Sequence, residues 1–204
     1  LVGIDDRANG VHFPAFDGNG NVEHVFGRYV GDRIIPYTLR HDLVAQLPEL
    51  KKKYLKYKDY NDKAIVDIFT PQQLEKSIVL KATYMASCIM INNGGKFTLE
   101  ELPVEAQFSP VHSILTEDFN HDGITDILLG GNFYESKPES GRYDASYGLF
   151  LKGLKGLHFE PVRASRSGFF IRGAVRDMAL IKASKKDLLL VGSNNDTLRV
   201  FRLK

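Results

Sequence analysis

Two short stretches constrain this chain more than any others: "DILLGGN" at 126–132 and "DLLLVGSN" at 187–194. Each is an apolar run entered through Asp and left through small and amide residues, and the two lie 61 positions apart (187 − 126). A second pair accompanies them. "SCIMINNGGKFTLEELP" (87–103) and "YGLFLKGLKGLHFEPV" (147–162) each read as an apolar strand, a glycine turn, an aromatic and a returning strand. Short β-branched and aromatic runs bounded by Gly and Asn clusters are the sequence form of hairpins. A unit that recurs about every sixty residues and holds four short strands has an apolar face that it can cover only by stacking on its neighbours. The pattern therefore predicts a mainly β fold over 78–204, a partial β-propeller or a similar array.

The first part of the chain reads differently. Residues 1–37 are rich in Gly, Asn and Asp, with one β-like piece, "VEHVFGRYV", and are expected to form a portion of a blade. Residues 38–77 read as helix. Leu39, Leu43 and Leu47 recur at four-residue spacing and make one apolar stripe. Pro48 suits the first turn of a second helix through Tyr57. In "TPQQLEKS", Thr70 can cap, Pro71 fits the first helical position and Gln73 can complete a capping box. With few apolar positions and a dense lysine face, 38–77 is expected to be an insertion and not a domain of its own.

Composition removes several functional classes. The chain has 204 residues and a net charge of +2, too balanced for charge alone to direct it to nucleic acid or an anionic membrane. "LKKKYLKYKDY" (50–60) interleaves lysine and tyrosine, but is expected to be the wet face of a helix with Leu50, Tyr54 and Tyr57 turned inward. No apolar run approaches the roughly 18 residues of a membrane span. The opening "LVGIDD" has no basic or apolar leader, so the chain reads as a fragment from which any signal peptide is gone. The single cysteine, Cys88, excludes an internal disulfide, and its apolar context predicts a buried, inert thiol. The six histidines form no HxH or HxxxH pair, so no zinc motif is present. Neither a nucleophile motif nor a phosphate loop is present.

"DFNHDGITD" (118–126) is the stretch with the most chemistry. Three carboxylates and an amide stand close together directly before a strand, and like charges at that spacing repel. Read as a cation loop, Asp118, Asn120, Asp122 and Asp126 occupy positions 1, 3, 5 and 9. Gly123 permits the sharp turn, and Ile124 can offer its carbonyl. Hard oxygen donors at about 2.3–2.6 Å suit calcium better than magnesium, which keeps its waters. The EF-hand alternative needs a Glu at position 12, where this chain has Leu129, and needs helical flanks, where this chain has strand-like ones. "AFDGNGNVE" (15–23) aligns as a degenerate copy: Ala15 removes one ligand, and Asp17, Asn19, Asn21 and Glu23 remain as a weaker site. Applying the 61-residue spacing puts Ala179, Ile181 and Ala183 over Asp118, Asn120 and Asp122, so the last copy is expected to bind no ion.

With its strand–DxNxDGxxD–strand frame, "EDFNHDGITDILLGGN" resembles an FG-GAP/VCBS repeat, the integrin-α-type calcium hairpin. Residues 38–204, through "LPELKKKY", the acidic hairpin and "GRYDASYG", resemble the C-terminal part of large bacterial cell-envelope proteins related to the ASPIC/UnbV group. The resemblance implies a β-propeller, an extracytoplasmic location, and calcium held by Asp118, Asn120, Asp122, Asp126 and the Ile124 carbonyl. About three units are visible, whereas closed propellers have roughly four to eight blades. Uncovered blade edges are therefore expected to favour self-association.

One further stretch, "GGNFYESKPESGRYDASYG" (130–148), is long and lacks a strand pattern, as functional loops often do. Its Tyr134, Arg142, Tyr143, Asp144 and Tyr147 suit stacking on a sugar or gripping a carboxylate. The structural alternative is a self-packed connection held by an Arg–Asp pair. The function expected from all of this is a calcium-stabilised, non-enzymatic interaction module that binds a protein or a glycan. The alternative is a carbohydrate-active lyase or hydrolase on a propeller scaffold.

Overall fold

The computed structural model describes residues 8–14, 22–82, 84–182 and 186–203. The chain is mainly β and forms two compact units that divide between Met85 and Ala86. In the first unit, β1 (Ala8–Pro14), β2 (Val22–Val30), β3 (Arg33–Pro36) and β4 (Ile78–Ala82) make an antiparallel sheet in the order β3-β2-β1-β4. The 78–82 segment thus hydrogen-bonds to β1, in the first unit's sheet. The grouping drawn at residue 78 from sequence starts earlier than the division between the units.

Five short helices lie between β3 and β4 in the chain: α1 (Arg40–Gln46), α2 (Leu50–Lys53), α3 (Tyr57–Tyr60), α4 (Ile65–Ile68) and α5 (Pro71–Glu75). They pack against the sheet. Leu43 and Leu47 of the predicted stripe, with Leu50, Tyr54, Ile65 and Ile68, close over Val25 and Ile34. Contrary to the expectation of few apolar positions, these helices supply most of their unit's core. The single helix expected through Tyr57 ends at Lys53 because tertiary partners capture its end. Arg40 Nε donates to the Tyr54 carbonyl at 2.6 Å, and Lys53 Nζ reaches the Asp67 and Ile68 carbonyls at 2.9 and 3.0 Å. Tyr57 is half-exposed, not turned inward. Its hydroxyl lies 2.6 Å from His41 Nδ1. The α5 cap forms as expected: Thr70 Oγ1 accepts from the Gln73 N–H at 3.3 Å, and Gln73 Oε1 accepts from the Thr70 N–H at 2.9 Å.

The described residues of the second unit form three small antiparallel sheets, none closed. β5 (Cys88–Asn93) and β6 (Lys96–Glu101) form a hairpin. β7 (Val111–Glu117), β8 (Asp126–Gly131), β9 (Leu149–Leu154) and β10 (His158–Val162) form a four-stranded meander in chain order. After the short α6 (Ala164–Ser167), β11 (Val175–Ile181), β12 (Leu188–Ser193) and β13 (Arg199–Arg202) form a three-stranded meander. Both recurrent sequence pairs therefore become matching structures. Residues 87–103 and 147–162 are hairpins, and "DILLGGN" and "DLLLVGSN" hold the second strands of two others. The "NNGG" turn is a two-residue connection whose Gly94 and Gly95 both have positive φ (+64° and +91°), the conformation that matches the twist of paired strands.

β8 is buried along its whole length. Ile127 and Leu129 enter one core cluster with Leu102 and Leu151, while Leu128 enters another with Val175, Met178 and Leu189. A strand covered on both faces reads as a continuous apolar run, as "ILL" does. The residue-for-residue mapping of the last copy is corrected by the register. Thr116 pairs with Ile127, but Ile181 pairs with Leu188, so the equivalent paired residues are four positions closer in sequence in the second hairpin (127 − 116 against 188 − 181). Ala179 and Ile181 are consequently strand residues, not loop positions, and Ala183 lies outside the described residues. Cys88, expected to be buried, is partly exposed near the start of β5.

Candidate functional site

The acidic stretch forms the turn between β7 and β8, with strands on both sides as its context predicts. Its polar side chains fold the turn on itself. The Asp122 N–H donates to Asp118 Oδ1 at 3.1 Å and to Asn120 Oδ1 at 2.9 Å. Asp118 Oδ2 accepts from the Gly123 N–H at 2.9 Å, and Asp122 Oδ1 from the Ile124 N–H at 3.0 Å. Gly123 takes φ +84°, and His121, at φ +58°, is exposed to solvent.

Asp126 differs from the other acids. It is wholly buried at the start of β8. Its Oδ2 accepts from the Phe119 N–H at 3.0 Å, and its Oδ1 accepts from the Gly153 N–H of β9 at 2.8 Å. One carboxylate thus pins the turn to the neighbouring hairpin. Gly153 has to be glycine for this, because a Cβ there would collide with the Thr125 carbonyl oxygen. The next-door Lys152 places its ammonium 3.1 Å from Asp122 Oδ2. The charge repulsion raised by the sequence is therefore offset in part by five backbone N–H donations to the three carboxylates and one ammonium. That Lys152 contact, assisted by the Ile124 N–H and Asn120, holds the Asp122 carboxyl below its ordinary value. At the corresponding corner of β11–β12, Lys182 pairs with Glu117 at 2.9 Å and Asp187 at 3.7 Å.

Among the described residues, no three His, Cys, Asp or Glu side chains stand together so as to hold a metal ion. A cation at this turn would rest on a mixed donor set: Asp118, Asn120, Asp122, the Ile124 carbonyl and Asp126. The chemistry of that set fits calcium, because all of its donors are hard oxygens and a carboxylate that accepts two N–H bonds still has lone pairs left. It also makes Lys152 a competitor for Asp122. In the degenerate copy, Asp17, Asn19 and Asn21 lie outside the described residues. Glu23 is buried on β2.

The second candidate, 130–148, is organised by a residue that sequence reasoning passed over. Asn132 is buried with φ +81°. Its Nδ2 donates to the carbonyls of Ser146 (2.7 Å) and Gly173 (3.0 Å), and its Oδ1 accepts from Ser109 Oγ (2.8 Å) and the Ser146 N–H (3.0 Å). The amide closing "DILLGGN" was the available signal. Arg142 stacks over Tyr134 at 5.4 Å, and no Arg142–Asp144 ion pair occurs among the described residues. Tyr143 bridges to Phe133 through its backbone, and Asp144 is exposed. Tyr147 stacks on Phe170 at 5.2 Å and 6°, both rings half-exposed. The predicted five thus divide into separate small contacts.

The chain matches no family model, no curated protein and no solved structure. Among the described residues, no helix is long and apolar enough to cross a membrane.

Proposed function

We propose that this chain is part of a calcium-stabilised β-propeller of FG-GAP/VCBS type, working as a non-enzymatic interaction module of a bacterial cell-envelope protein. The observation that carries the reading is the 2–4–3 strand pattern of the second unit: β5–β6, then β7–β10, then β11–β13. Propeller blades are four-stranded antiparallel sheets. Taking β5–β6 as the end of one blade, β7–β10 as a complete blade and β11–β13 as most of a third accounts for every described strand of the unit and for the 61-residue recurrence. The acidic turn then joins the first two strands of the complete blade, where a cation would lock strand register. The partner is a protein or a glycan. In support, Tyr147 and Phe170 offer flat, half-exposed rings, and Arg142 with Tyr134 adds a planar cation.

The calcium component is tested by melting the full chain in chelator and in millimolar calcium. Binding only to the folded state at about 100 times the dissociation constant adds about 2.7 kcal/mol, so a clear upward shift is expected. Asp122→Ala should abolish the shift. Lys152→Gln should increase the chain's calcium affinity, because it removes the tethered competitor. Superimposable melting curves with and without calcium would sink the metal assignment.

A further inference from the structure

A cavity of about 440 Å³ opens in the second unit beside α6, lined by Phe119, Phe150, Phe169 and Phe201 of β13. It is not a packing defect of ordinary size. Protein interiors rarely leave voids larger than a water molecule, and a water's share of the liquid is about 30 Å³. Its volume falls instead in the range of small-molecule sites, roughly 300–1,000 Å³. The walls are preformed: Phe119 and Phe150 meet edge to face at 6.1 Å, and Phe169 and Phe201 at 5.7 Å. The Phe119 backbone is in turn held by Asp126.

The rim carries the chemical information. Arg166 and Arg202 border the cavity, and both are exposed. Neither side chain makes an ion pair or hydrogen bond among the described residues, and no Asp or Glu lines the space. Two uncompensated guanidinium groups over an aromatic chamber are complementary to an anion with an apolar body. We propose that this cavity binds an amphipathic organic anion: an aryl or acyl group seated among the phenylalanines, with its carboxylate, sulfonate or phosphate head at Arg166 and Arg202. The site goes beyond the interaction-module reading and stands whether or not the acidic turn binds calcium.

The test is a fluorescence titration of the full chain with two probes of one ring skeleton, 8-anilinonaphthalene-1-sulfonate and the neutral N-phenyl-1-naphthylamine. The sulfonate is expected to fill one saturable site per chain. Replacing both arginines (Arg166→Gln with Arg202→Gln) should weaken the sulfonate roughly tenfold or more while leaving the neutral probe nearly unchanged, since only the charged head loses its hydrogen bonds. Ser165→Trp, at the exposed rim, should block both probes. Because all three positions are on the surface, unchanged melting temperatures are expected and show that the fold is intact. Sulfonate binding that never saturates, that spreads over several weak sites, or that is as tight in the double variant as in the parent chain overturns the proposal.

Discussion

Asp126 shows how much one side chain can organise. Its two oxygens satisfy backbone N–H groups from the turn and from β9, with no exposure to solvent. Truncation would leave two donors without partners, and each buried orphan costs about 1–3 kcal/mol. Asp126→Ala is expected to destabilise the chain by about 3 kcal/mol, read as a lowered urea midpoint in chelator, so that any metal contribution is absent. Asp122→Ala under the same conditions removes the contact with Lys152 and the acceptor of the Ile124 N–H, both at an exposed residue, and should cost much less. Equal losses from the two variants would contradict the pinning role given to Asp126.

Among the elements, the short helices depend most on local chemistry. α4 has only four residues, too few to persist alone in water. It is held by Asp67, which accepts from the Ala64 N–H at 2.8 Å and pairs with Arg33 at 2.9 Å. The Ala64 N–H first, and then Arg33, hold the Asp67 carboxyl below its ordinary value. A depressed carboxylate stabilises the fold fully above the unfolded value of about 3.9 and loses that contribution as pH falls through the lower folded value. Asp67→Asn should therefore be less stable than the parent chain near neutrality, and the gap should close in acid below about pH 4. Urea midpoints measured across that range check it. A gap of constant size would mean that the carboxylate's charge is irrelevant there.

At the scale of the molecule, the open sheet edges matter most. Among the described residues β4 pairs only with β1, and its Ile78, Val79 and Leu80 are each about half-exposed or more. An apolar edge with a single lysine, Lys81, has little protection against pairing with another chain. Concentration-dependent self-association is the expected behaviour, and Val79→Lys should suppress it. Light scattering that finds a monodisperse monomer at every concentration would count against both the edge argument and the partial-ring reading.

Turns, caps and strands were legible in the linear chain because their causes are local. Two glycines force the β5–β6 turn, Thr70-Pro71 with Gln73 starts α5, and the recurrence at 126 and 187 marks two equivalent strands. The acidic stretch announced a turn between strands for the same reason. What lay out of reach depends on residues far apart in sequence. Lys152 and Gly153 meet the acidic turn only because β9 pairs beside β8, and Asn132 gathers the Ser109 hydroxyl and backbone from 146 and 173. The lysine-rich helices became core because Leu43, Leu47, Leu50, Ile65 and Ile68 gather with Val25 of the sheet. Spacing along a chain encodes what a backbone does within a few bonds, and the N–H groups of Asp122, Gly123 and Ile124 reach the acidic side chains in that way. Which charges, rings and carbonyls become neighbours is decided by how the sheets pair and pack, and the help that Lys152 and Gly153 give the acidic turn belongs to that second kind.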